Sequence, residues 1–216
     1  SGWRFGSQDS TLQDLLVVGE QVLALAPNGR ATVTCAAFCC EASMGGPGAG
    51  SGFNQGWLAD SALVKLARHM ASTAYDEQAM QQAVWAVSDG SPISGIDAGE
   101  ASATHALRQF VATLTGRPVP WYTTAFAEAT DGRAFNPNAT HVSGRVEFQQ
   151  RHAGVLSIVV KDASGATIHV LDEGRELRQG KYSIEVDVTV RNWPQGRYAI
   201  CFATDGVLLE RKEFDL

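Results

Sequence analysis

Apolar and polar positions keep two different rhythms along this chain, and the change falls near residues 130 to 142. Before it, apolar residues recur at i, i+3, i+4 and i+7, the spacing of an amphipathic helix. In "EQAMQQAVWAVSDG", Met80, Ala83, Val84 and Val87 define a core face, and Gln81, Trp85 and Ser88 share a neighbouring one. Asp76 is placed to cap that helix, and Asp89-Gly90 to stop it. "SALVKLARHMA" behind Asp60 or Ser61 and "EASATHALRQFVATLTG" ending on Gly116 predict two more helices. Upstream, "QVLALAP" and "ATVTCAAF" predict two strands joined by a hairpin at Asn28-Gly29. "GGPGAGSG" lacks the Lys-Ser/Thr pair of a phosphate loop and predicts a flexible loop. After residue 142 the period drops to two. "RVEFQQ", "GVLSIVVKD", "ATIHVLD", "YSIEVDVTV", "RYAICFAT" and "VLLERKEFD" predict six short strands of a β-sandwich. Within "YAICF" both faces are apolar, so Cys201 is expected in a buried inner strand.

The polar, turn-rich "TDGRAFNPNATH" reads as a linker. The predicted fold class is therefore α+β, with a mixed helix/sheet domain over residues 1–135 and a sandwich over 143–216 that folds on its own. A chain of 216 residues, 44% hydrophobic and 19% charged, has the composition of folded domains of that size. The net charge of −6, without a basic cluster, argues against nucleic acid as a partner. No apolar run is long enough for a membrane span.

The four cysteines, Cys35, Cys39, Cys40 and Cys201, are too few for a disulfide scaffold, and without a CxxC pair they predict no metal site. No cofactor motif is present. A thiol and a glutamine carboxamide can instead condense, with loss of ammonia, to an internal thioester. The thioester is an acylating group that a lysine amine on a partner can open into a permanent amide. Such a site needs a glutamine held within reach of a cysteine and apolar cover against water. Gln81 on a helix, with Trp85 one turn further on, meets the first need and offers the second.

"MQQAVWA" resembles the Thr-Gln-x-Ala-Ile/Val-Trp motif of bacterial surface thioester domains, and "FCCE" resembles that family's aromatic-Cys-apolar-acidic segment. The resemblance spans about residues 20 to 90. It implies Cys39 and Gln81 as the thioester pair, Trp85 and Phe38 as the shielding aromatics, and Glu41 as the acidic position. Met80 stands where that family has threonine, and Cys40 where it has an apolar residue. The C-terminal part resembles the Ig-like sorting domain of type IX-secreted proteins and the related domain of hook-capping proteins, on Asp162 to Gly165 and on Pro194-x-Gly196-x-Tyr198. Sorting domains end on a basic residue, whereas this sequence reads "EFDL" there.

Together the two resemblances imply a secreted or cell-surface binding or adhesion module that meets an extracellular protein or glycan surface and is capable of covalent attachment. The alternative is a structural or sorting-related surface protein with a non-covalent binding domain. A cysteine hydrolase built from Cys39 or Cys40 with His69 or His105 is a lesser, enzymatic alternative, since no family signature surrounds those residues. The remaining singled-out residues have plainer readings: Asp97 and Glu100 flank a glycine in a loop, with Glu100 near a helix N-terminus and its dipole, and Trp121 and Tyr122 pack between domains.

Overall fold

The computed structural model describes residues 1–216 except Gln21 and Asp131. It has an α+β fold of helices and antiparallel sheets, divided into two compact units that the chain visits alternately. The first unit is 1–119 with 128–136, and the second is 120–127 with 137–216. This corrects the expected division at 1–135 and 143–216. Residues 120–127 belong to the second unit, and 128–136 return to the first. The expected linker, of which Asp131 lies outside the described residues, is not a spacer. Its Ala134 N–H bonds Met44 O at 2.9 Å, its Phe135 is buried, and Ala139–Gln150 is already strand.

In the first unit four short strands form one antiparallel sheet in the order β3-β2-β1-β4. They are β1 (Trp3–Phe5), β2 (Leu15–Val18), β3 (Ala36–Cys39) and β4 (Trp57–Leu58). The expected hairpin is displaced. A turn at Asn28 exists, with positive φ and Gly29 N–H on Ala26 O, but its flanks form no ladder. Pairing falls further out, where Leu15 faces Cys39 and Val18 faces Ala36. Val22, Leu23 and Leu25 of the expected first strand are exposed, and Gln21 lies outside the described residues. Alternation signals a strand there, but burial against the helices goes to Leu16, Val18, Phe38 and Cys40 instead.

Three helices cover that sheet face: α1 (Ser61–Ser72), α2 (Glu77–Ser88) and α3 (Ala101–Thr115). Each starts on a carboxylate that accepts the first free N–H groups, from Asp60, Asp76 and Glu100 respectively. Helix α3 ends on Gly116 in the left-handed region, at φ 69°. Ala83 and Val84 of α2 are fully buried against Leu16, Phe38, Leu66 and Leu107, whereas Met80 and Val87 pack at the margin of the same core.

The second unit has seven strands in two antiparallel sheets, β5-β6-β9 and β11-β10-β7-β8. They are β5 (Tyr122–Phe126), β6 (Ala139–Gln150), β7 (Gly154–Lys161), β8 (Thr167–Leu177), β9 (Gly180–Thr189), β10 (Arg197–Thr204) and β11 (Val207–Asp215). Both sheets feed one core, with Val146, Phe148 and Val188 from the first and Ile158, Ile200, Phe202 and Phe214 from the second. Cys201 is buried in β10, the strand flanked by β7 and β11. Trp121 and Tyr122, expected between domains, pack instead within this unit. The Trp121 ring lies against Gly144, where a Cβ would come within 2.8 Å of it, and its indole N–H donates to Glu213 O at 2.6 Å. The Tyr122 hydroxyl accepts Asp215 N–H at 3.0 Å.

At the start of β10, the buried Tyr198 donates its hydroxyl to Pro194 O, four residues upstream, at 2.6 Å. Tyr198→Phe keeps the ring on Phe214 but strands a carbonyl. Chemical denaturation of the variant is expected to show a loss of about 1 kcal/mol.

Candidate functional site

In the order β3-β2-β1-β4, strand β3 is an edge, and an edge strand leaves every second residue's N–H and C=O without a neighbour. The Cys40 N–H turns inward to Asp14 O at 3.0 Å, so the N–H and C=O of Cys39 turn outward. Helix α2 supplies what the missing strand would. The Gln81 carboxamide accepts the Cys39 N–H on Oε1 at 2.9 Å and donates from Nε2 to the Cys39 carbonyl at 2.8 Å. Two turns on, the Ser88 hydroxyl donates to Cys40 O, and the C-cap residue Asp89 accepts Ala42 N–H at 2.7 Å. Gln81 and Ser88 lie seven residues apart, hence on one helix face, and both reach the same edge.

Cys39 and Gln81 are thus adjacent, joined through the backbone of one and the side chain of the other. Both bonded atoms hang on Gln81 Cδ, so the carbon that a thiol would attack is held beside Cys39. Alternation along β3 sends Phe38 and Cys40 into the helical core and leaves Cys39 half-buried on the other sheet face. Register places Leu15 across from Cys39 and Phe5 across from Leu15, so the thiol shares its face with an apolar row. Phe38, read as a shielding residue, lies on the opposite side of the strand from the Cys39 side chain.

Trp85, read as the other shield, is buried one turn beyond Gln81. It is anchored by its indole N–H to Gln13 Oε1 at 3.0 Å and by a tilted ring contact with Phe135 at 5.6 Å. Gln13 is fully buried, and its Nε2 donates to Met44 O at 3.3 Å. Neither Gln13 nor Phe135 was visible to pattern reading. The first is one polar residue before an apolar strand, and the second sits in a stretch that reads as turn.

A charged cluster adjoins the cysteines. Arg4 donates to Asp14 at 2.9 Å and to Glu41, while the other Glu41 oxygen accepts Asp14 N–H at 2.8 Å. Burial pushes the Glu41 carboxyl above its ordinary range, against the pull of the Asp14 N–H and of Arg4. Burial, and then the Glu41 charge, raise the Cys39 thiol, and burial pushes Cys40 up to about 12. Both thiols are therefore neutral at pH 7. The histidines weighed as bases are engaged or placed elsewhere. His69 Nε2 lies 3.0 Å from the Tyr75 hydroxyl with its ring stacked on Phe110, and His105 is an exposed residue of α3. Asp97 accepts Gly99 N–H, and Glu100 caps α3.

Among the described residues no helix is long and apolar enough to cross a membrane. No protein-family model matches the chain, and no curated protein matches it.

Proposed function

We propose that the first unit is a thioester-domain-like module, and that the protein is a secreted or cell-surface adhesion module that attaches covalently to amine-bearing targets. The observation that carries this reading is the two-point clamp of the Gln81 carboxamide on Cys39, at 2.9 and 2.8 Å. In the bond-forming step Cys39 Sγ attacks Gln81 Cδ, the Cδ–Nε2 bond breaks, and Nε2 leaves as ammonia with the thiol proton. The Cys39 N–H already points at Oε1, where negative charge develops in the tetrahedral intermediate, and is the donor that stabilises it. The Cys39 carbonyl accepts from Nε2 and stabilises that nitrogen as it gathers positive charge and departs. Capture reverses the geometry: a primary amine attacks Cδ, the Sγ–Cδ bond breaks, one amine proton passes to sulfur, and Gln81 becomes an N-substituted amide. The half-buried, apolar setting of Cys39 favours keeping the acyl group from water.

The raised thiol and the placement of both histidines argue against the cysteine hydrolase, which needs a thiolate and a base beside it. A non-covalent binding module remains the second reading. It is favoured by the fact that both amide atoms of Gln81 already serve the backbone of an edge strand.

For the second unit we infer an Ig-like sandwich. The strand order β5-β6-β9 over β11-β10-β7-β8 supports it, as does Tyr198 at the start of β10 bonding back to Pro194, the corner that recurs in such domains. Its role, sorting signal or spacer, follows that reading and is part of the proposal.

The experiment is intact mass spectrometry of the purified chain. The expected mass falls short of the sequence by one ammonia, and methylamine adds at Gln81. Cys39→Ala abolishes both effects and Cys40→Ala neither. Full sequence mass would leave the non-covalent reading.

A further inference from the structure

On α1, Ser61, Lys65, Arg68 and Ser72 follow one another at spacings of four, three and four, and form the stripe opposite the buried Leu63, Leu66, Ala67 and Met70. This stripe borders a groove of about 620 Å³ shared with α3. Its floor is the stack of His69 on Phe110, with ring centroids 3.9 Å apart and nearly parallel, continued by Leu114. Lys65 and Arg68 stand exposed at its rim. None of the described residues lining it is acidic, although the whole chain carries a net charge of −6. The nearest helix carboxylate in sequence, Asp60, is occupied in capping Ala62 and Leu63.

Two features make this more than a solvated helix face. Lys65 and Arg68 lack an acidic partner three or four residues away along α1, where Ser61, Ala62, Val64, His69, Ala71, Ser72 and each other stand, so their charge is not cancelled within the helix. The floor between the helices is apolar, and burial holds His69 below its ordinary pKa, so the ring is neutral at pH 7. A cationic rim over a neutral aromatic floor complements a ligand that carries negative charge outside and one ring or branched aliphatic group inside. The volume suits a few side chains, and a cleft between two helices is a common seat for a short peptide segment.

We propose that the α1–α3 groove is a docking site for an acidic peptide segment of a partner protein, with an aromatic or aliphatic side chain on the His69–Phe110 floor and flanking carboxylates at Lys65 and Arg68. This site is separate from the Cys39–Gln81 chemistry and stands whether or not a thioester forms.

The test is an NMR titration of the full chain with acetyl-Glu-Glu-Phe-Glu amide, and in parallel with acetyl-Gln-Gln-Phe-Gln amide. The acidic peptide is expected to give saturable shifts at Lys65, Arg68, His69 and Phe110, with affinity at least about tenfold above the neutral one and falling as salt is raised. Lys65→Glu with Arg68→Glu changes two exposed residues and should abolish the shifts while the rest of the spectrum stays folded. No saturable shift at the groove, equal binding of both peptides, or binding that survives the double substitution would each overturn the proposal. So would shifts caused by polygalacturonate but not by the acidic peptide, since the site would then belong to an anionic glycan.

Discussion

Residues 143–216 expressed alone are expected to give the narrow amide dispersion of a largely unfolded chain, contrary to what the sequence pattern led us to expect. The cut removes β5 outright and the first four residues of β6. With them go the fully buried Val142 and the buried Thr124 and Thr140. The three-stranded sheet shrinks to the pair β6–β9, and two strands without a third are marginal at best. The links that tie this sheet to β11 go as well: Trp121 to Glu213, and Tyr122 to Asp215. A fragment of 120–216 restores every one of these strands and is expected to fold. Its cost is that 128–136 loses its own seat, the Ala134 bond to Met44 and the Phe135 contact with Trp85. A well-dispersed spectrum from 143–216 would sink this account.

The bounds of the second unit, 120–127 with 137–216, separate the local signals in the chain from the tertiary ones. The helices were legible because their signals are local: Asp60 and Asp76 cap, Gly116 ends α3, and the apolar period runs unbroken between them. So were the strands of the second unit from β6 to β11, whose alternation is long. Strand β5 was not. "YTTAF" is five residues with two threonines at its centre, and nothing local says that its partner lies past a segment that returns to the other unit. The displaced hairpin has the same cause. Asn28-Gly29 does turn the chain, but whether the flanking residues pair depends on burial that the helices give to Leu16 and Phe38 and not to Leu23 or Leu25. At the candidate site, helical spacing was enough to put Gln81 and Ser88 on one face. That this face would dress the open edge of β3 is a tertiary fact, and so is the buried Gln13 that holds Trp85.

The clamp itself yields a pH-dependent result. In a Cys39→Ala background, where no covalent bond can form, Gln81→Ala and Gln81→Glu are expected to exchange rank as pH changes. Gln81→Ala removes both bonds to the residue-39 backbone but leaves room for water at a half-exposed edge, and about 1–2 kcal/mol is the expected loss at any pH. Gln81→Glu keeps the shape. One oxygen still accepts the backbone N–H, but the other now meets the carbonyl oxygen that Nε2 had approached to 2.8 Å, and two acceptors face each other without a proton. The charged form is disfavoured, so the introduced carboxyl has a folded pKa above its unfolded value of about 4.3. The sign follows from linkage. A raised folded pKa means stability that is fully present below the unfolded value and is lost as pH rises through the folded one. At pH 4 the protonated carboxyl supplies the missing O–H donor, and Gln81→Glu should exceed Gln81→Ala in stability. At pH 7 the order should reverse, with a deficit of about 2–3 kcal/mol against the background chain. Urea midpoints of the three proteins at the two pH values measure this directly. Parallel curves for the two variants across that range would mean that the Gln81 amide nitrogen does not hold the Cys39 carbonyl in solution, and the geometric basis for the thioester proposal would go with it.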